Sequence, residues 1–170
     1  MAEIARLDGP FAPETILAPE TIVAPETIVV PETIVAPRPP APNTLGVPGL
    51  DSRDLALMAA EACDDRKAVD IRLIGVEAIS SLADWFVICS GLSDVQVRAI
   101  ARSVQDQLED QAGRLPLRQE GQDHGRWVVL DYGELIVHVL APNERGYYDL
   151  EAFWSQGQQE HYVSPLQPLP

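Results

Sequence analysis

Gly91-Leu92-Ser93-Asp94 is the stretch best placed to do chemistry. It follows an apolar run and precedes a long amphipathic pattern, so it reads as a turn between a buried strand and a helix. Amides at a helix N-terminus attract anions, and such a turn can cradle a phosphate. Nucleotidyl transfer would add a pair of carboxylates on the next strand, because two magnesium ions need several converging oxygen ligands. The downstream strands offer only Asp131 and Glu134, split across a hairpin turn. The acidic metal site is therefore missing, and Asp131 reads as a turn residue whose carboxylate accepts from local amides. His138 shares a strand face with Ile136 and Leu140, with no Ser or Cys nucleophile in a partner motif. A packed or interface histidine is expected there rather than a general base. Arg145 has two readings of equal weight: it ties the hairpin to a terminal helix through Asp149 or Glu151, or it projects towards a partner. Cys63 and Cys89 sit in apolar contexts with no CxxC, and the three His show no metal-ligand spacing. Both cysteines are expected as buried free thiols in a reducing cytoplasm.

The elements that must hold these residues can be read in turn. Trp127–Leu130 and Leu135–Leu140 are Val-, Ile- and Leu-rich runs flanking Asp131-Tyr132-Gly133-Glu134. Gly133 supplies the positive φ of a tight reversal, so the pair is a β-hairpin. After Pro142, Asn143 is expected to cap a short helix. Leu150, Phe153 and Trp154 fall at i, i+3 and i+4 on it, with Tyr147 extending the stripe, and Trp127 and Phe153 are expected to pack between hairpin and helix. Upstream, Asp51 can cap a helix with Asp54 in its first turn and Leu55, Met58, Ala59 and Ala62 buried. Ala68–Leu73 alternates as a half-buried strand, and residues 76–83 form an irregular turn. Asp84–Ser90 is apolar enough for a central strand covered on both faces. Ser93 caps a helix carrying Val97, Ile100, Ala101, Val104 and Leu108, and Gly113 stops it. Leu115–Gly121 is expected as an edge strand that Pro116 and Arg118 protect from pairing. The result is an α/β (α+β) domain with a mixed five-stranded sheet flanked by helices.

Organisation and charge narrow the function. Residues 12–35 read APETIL APETIV APETIV VPETIV, four copies of one hexapeptide. A Pro every six residues interrupts helices and sheet ladders, and four turns lack the Gly-rich corners of a β-helix. Residues 1–50, which hold ten of the fifteen Pro, are expected to be a disordered tail, 51–155 the folded domain, and 156–170 a flexible C-terminal tail. No 18-residue apolar stretch, signal peptide or transit peptide is read in the chain, and a cytoplasmic protein is expected. Net charge is −14, and residues 51–170 carry twenty acids against ten bases. Nucleic-acid binding is driven by Lys and Arg displacing counterions, so direct DNA or RNA contact is disfavoured and a basic protein partner fits better.

DWFVICSGLSDVQVRAIA, followed by WVVLDYGELIVHVLAPNERGYYDLEAFW, closely resembles the ribosomal silencing factor (Iojap-related) family. The residues that carry the resemblance are Asp84, Phe86, Ser90, Gly91, Ser93, Gln96, Ala99, Ile100, Glu120, Gly121, Trp127, Asp131, Gly133, His138, Arg145, Tyr148, Leu150, Glu151 and Trp154. The resemblance spans about residues 51–155, and the PETI repeats lie outside the pattern. The resemblance implies a nucleotidyltransferase-like sheet without catalytic acids, no cofactor, and no enzymatic activity. It also implies binding to the fourteenth protein of the large ribosomal subunit (L14), which blocks joining of the small subunit and lowers translation when nutrients are scarce. Homodimers are a further implication. The contact residues it points to are Trp127, Asp131, Tyr132, His138, Arg145, Tyr148 and Trp154, with Gly91 and Ser93 as lesser candidates. Trp127 is the one whose burial alone would explain its presence, at about 2–3 kcal/mol. A residual nucleotidyltransferase or nucleotide-binding protein is the alternative reading.

Overall fold

The computed structural model describes residues 49–165. The repeats and most of the N-terminal segment read as disordered, like residues 166–170, lie outside the described residues.

Helix α1 (Ser52–Asp65) opens on a capping box in which Asp51 accepts from the Asp54 amide while Asp54 accepts from the Asp51 amide. Strand β1 (Val69–Gly75) leads through the turn at 76–83 into β2 (Trp85–Ser90), every residue of which is buried. Helix α2 (Asp94–Ala112) is capped by Ser93 and ends on Gly113 in the left-handed conformation. Strand β3 is only Arg118–Glu120, shorter than the expected 115–121. The hairpin β4 (Trp127–Asp131) and β5 (Leu135–Leu140) follows. Gly133 has φ +97° and donates its amide to Asp131 Oδ1 at 2.8 Å, the turn role expected of both residues.

The terminal helix is not continuous. Helix α3 (Pro142–Tyr148) begins on Pro142, with Ala141 rather than Asn143 at the cap position. Proline is favoured there because its missing N–H needs no partner. Asp149, at φ +42°, breaks the chain and caps α4 (Leu150–Phe153) with its side chain. The sheet has six strands where five were expected. The sixth, β6 (Gln158–His161), comes from the segment whose polar composition suggested a flexible tail.

Strand order is β3-β4-β5-β2-β1-β6, antiparallel except for the central β2–β5 pair. Helices α1 and α2 cover one face. Their Leu55, Ala59, Cys63, Ile100, Val104 and Leu108 pack onto Leu73, Val87, Cys89, Leu130, Val137 and Val139. On the other face, Ile74, Val76, Phe86, Ile88 and Leu140 form a smaller core under Leu150 and Trp154. This second face is only partly roofed. Beyond α3 and α4, the surface of β3, β4 and β5 stands open, and five of the nine candidate residues gather around it.

Candidate functional site

Side chains alternate across a strand, so the pairing of β4 with β5 decides which candidates meet. Val129 lies opposite His138 and Asp131 opposite Ile136. Arg118 of β3 lies opposite Asp131. Arg118, Glu120, Val129, Asp131, Ile136 and His138 thus line one shallow groove of about 230 Å³. Its wall is aromatic. The Trp127 ring sits 4.7 Å from Tyr148 and 5.9 Å from His138, measured between ring centres. Phe86 meets His138 edge-on at 5.6 Å and Trp154 edge-on at 5.1 Å. Tyr148 is half out of the surface, at 51 % exposure.

His138 is fixed from two sides. Phe86 supports the ring, and the Trp127 indole N–H donates to His138 Nδ1 at 3.3 Å. Burial drives the imidazole pKa from 6.5 down to about 4, so the ring is neutral at physiological pH. It belongs to the groove as an uncharged polar group, with no nucleophile beside it.

Four candidates sit elsewhere. Tyr132 is 2 % exposed, inside the core beneath the helices, and cannot touch a partner. Burial pushes its phenol well above the ordinary range, and among the described residues its hydroxyl has no hydrogen-bond partner. The resemblance pointed to Tyr132 as a contact residue; from the turn between β4 and β5 its side chain instead enters the core. Gly91 is buried, and an added Cβ would lie 2.9 Å from the Val97 amide nitrogen. Ser93 is spent as the α2 cap.

The turn holding Gly91 and Ser93 cannot cradle a phosphate as it stands. Gly91 donates to the Leu140 carbonyl, Leu92 to Gln96 Oε1 and Gln96 to Ser93 Oγ. Gln96 also donates to the carbonyls of Arg66 and Lys67, locking the start of α2 to the end of α1. Glu134 pairs with Arg114. Among the described residues, no cluster of three or more His, Cys, Asp or Glu could hold a metal ion.

Arg145 is the fourth. Its side chain is 12 % exposed, and it reaches Glu151 at 2.5 Å, Asp70 at 3.1 Å, Ser90 Oγ at 3.1 Å and the Val69 carbonyl at 3.3 Å. Of its two readings the geometry takes the first, through Glu151 rather than Asp149, and extends it to β1 and β2. Asp70, at φ +48° in a bulge of β1, also receives Arg72 and meets His161. Burial works to raise its pKa, but the Arg72 hydrogen bond and the Arg145 charge prevail and hold it low.

Two features escaped sequence reasoning. Arg118 and Glu120 were read as edge-strand residues, yet they form one lip of the groove, which only the β3–β4 register reveals. Tyr147 and Phe153 were placed on a buried stripe, but they are 82 % and 76 % exposed, because the break at Asp149 rotates α4 and leaves Trp154 to reach Phe86.

A six-stranded mixed sheet with two helices on one face and an aromatic-walled groove on the other defines a domain of the α/β class. A family model described as ribosomal silencing factor during starvation matches residues 50–168. The chain is 46 % identical over 105 residues to the ribosomal silencing factor RsfS of Bacillus subtilis, covering 62 % of this chain and 88 % of that protein. A crystal structure of a Chromobacterium violaceum protein superposes with a TM-score of 0.61 at 34 % identity, covering 70 % of this chain and 98 % of that one. A crystal structure from Bacillus halodurans gives 0.55 at 39 % identity, covering 60 % and 94 %. The chain belongs to the ribosomal silencing factor family.

Proposed function

We propose that this protein acts in the cytoplasm as a translational repressor that binds the large ribosomal subunit through its fourteenth protein, L14, and sterically blocks joining of the small subunit. The observation that supports this most is a coincidence of pattern and place. Of the residues that carry the family resemblance, Trp127, Asp131, His138, Tyr148 and Trp154 all converge on the one sheet face left partly unroofed. Aromatic residues with a polar rim are the usual makings of a protein-binding surface. Obstruction needs only affinity and placement, so no bond need be made or broken.

The surface we assign to the contact is Trp127, Asp131, His138, Tyr148 and Trp154, joined by Arg118 and Glu120. Arg145 acts behind it, holding α4 against the sheet. The exposed Tyr147 and Phe153 extend the same aromatic side of the molecule and offer area for a homodimer. Co-sedimentation with isolated large subunits, read alongside light scattering of subunit association, tests the reading. Binding and slowed association are expected. Unimpaired joining at saturating protein would overturn it.

A further inference from the structure

The groove between β3, β4 and β5 carries a proton whose position the structure dictates. An indole N–H can only donate, so the nitrogen that receives it must be unprotonated. Trp127 Nε1 is 3.3 Å from His138 Nδ1, and a neutral imidazole with a bare Nδ1 carries its hydrogen on Nε2. Among the described residues that second nitrogen has no hydrogen-bond partner, yet it is not sealed from solvent, and His138 lines the groove. We propose that Trp127 is a positioning residue that fixes His138 as an Nε2–H donor, and that the donor is aimed at a carbonyl oxygen of the docking partner. This rests on the reading of the groove as the ribosome-facing surface and names the chemistry that surface seeks.

The neighbours favour a neutral acceptor over a carboxylate. Glu120 and Asp131 line the same groove, and a partner's carboxylate would meet both. Arg118 stands opposite Asp131 in register, which leaves one cation to set against two acids. A segment presenting a backbone carbonyl to His138 and a basic side chain to Glu120 satisfies all of them. Burial of the ring supports the arrangement, since the imidazole stays uncharged through the physiological range. A wrong tautomer would turn the same atom into an acceptor and set lone pair against lone pair. Site-built hydrogen bonds discriminate strongly for this reason, because a mismatched partner leaves buried polar groups unpaired.

The test separates the proton from the docking. Long-range proton–nitrogen NMR of the free, nitrogen-15-labelled protein at neutral pH reports the tautomer of His138 directly. We expect a single Nε2–H form, and in W127F, which keeps the aromatic wall but loses the N–H, a mixture with the Nδ1–H form. An Nδ1–H or doubly protonated ring in the native protein would overturn the assignment. Large-subunit co-sedimentation then reads the donor. H138F should bind about tenfold more weakly, a loss of about 1.4 kcal/mol. H138Q, whose side-chain amide can donate from nearly the Nε2 position, should recover most of that. Equal binding by H138F and the native protein would overturn the donor role while leaving the tautomer intact. Failure of the native protein itself to bind would bring down the ribosomal reading, and the donor role with it.

Discussion

His138 is kept neutral by partial burial, which leaves little solvent around the ring to carry a charge, and this has a measurable consequence for stability. The unfolded chain titrates near 6.5 and the folded one near 4, so between these values the unfolded state binds more protons. The stabilisation is complete above pH 6.5 and is lost as the pH falls towards 4. Holding a neutral ring of this kind is worth about 2 kcal/mol less at pH 5 than at pH 7. H138F, which keeps the edge contact with Phe86, should remove that part of the acid sensitivity. Urea unfolding at pH 7 and pH 5 reads it out, and an identical pH dependence in the variant would place the sensitivity elsewhere. A second residue-level consequence concerns Gly121. At φ +82°, a Cβ there would sit 1.8 Å from the Trp127 carbonyl oxygen, so both backbone and neighbour forbid a side chain. G121A should therefore cost more than about 3 kcal/mol or fail to fold. Gly146, inside α3 with nothing within 4 Å of its missing Cβ, makes the control: G146A should be neutral or stabilising by up to about 1 kcal/mol. Thermal melts of the two variants side by side should diverge widely.

Elements show where a sequence speaks and where it stays silent. The hairpin, the Asp51 and Ser93 caps, the Gly113 stop and the buried β2 strand were legible, because each depends on local chemistry or a single period. Asp149 was illegible as a helix break, since a left-handed aspartate gives no composition signal. The β6 strand was hidden for a different reason. Gln158-Gln159-Glu160-His161 has no apolar alternation, and three of the four residues are exposed. It is a strand because tertiary context supplies what propensity does not: the β1 ladder from Arg72 to Gly75, the Arg53–Glu160 and Asp70–His161 contacts, and the Ser164–Asp64 hydrogen bond just beyond it. The groove was half legible: its residue types stood in the resemblance, but Arg118 and Glu120 joined it through register, and Tyr132 left it through burial. Ending the chain after Gln156 uncovers the β1 edge and frees α1 from its strap. A fall in Tm of roughly 10 °C is expected, since about 1 kcal/mol shifts a domain this size by several degrees. An unchanged melting curve would return residues 156–165 to the status of a tail.

At the scale of the whole molecule, charge decides what the groove can dock against. Twenty acids and ten bases in residues 51–170 make the domain an anion overall, and the ribosome is mostly an anion too. Ribosomal RNA would repel it, and a basic protein patch on the subunit surface would attract it. The two fields respond oppositely to salt, because screening weakens whichever dominates. If the partner is a basic protein, association should slow several-fold between 50 and 200 mM salt, as electrostatic steering is lost. Affinity should fall far less over the same range than the roughly thousandfold or greater loss of a protein that neutralises phosphates. Stopped-flow association with fluorescently labelled large subunits measures the slowing, and a chain beginning at Gly49 should behave as the full chain does, since the groove's residues all lie beyond it. Faster association at higher salt would mean that RNA repulsion governs the encounter. The attraction would then have to come from the aromatic wall of Trp127, Tyr148 and Trp154, and removing charge from the domain should speed binding instead of slowing it.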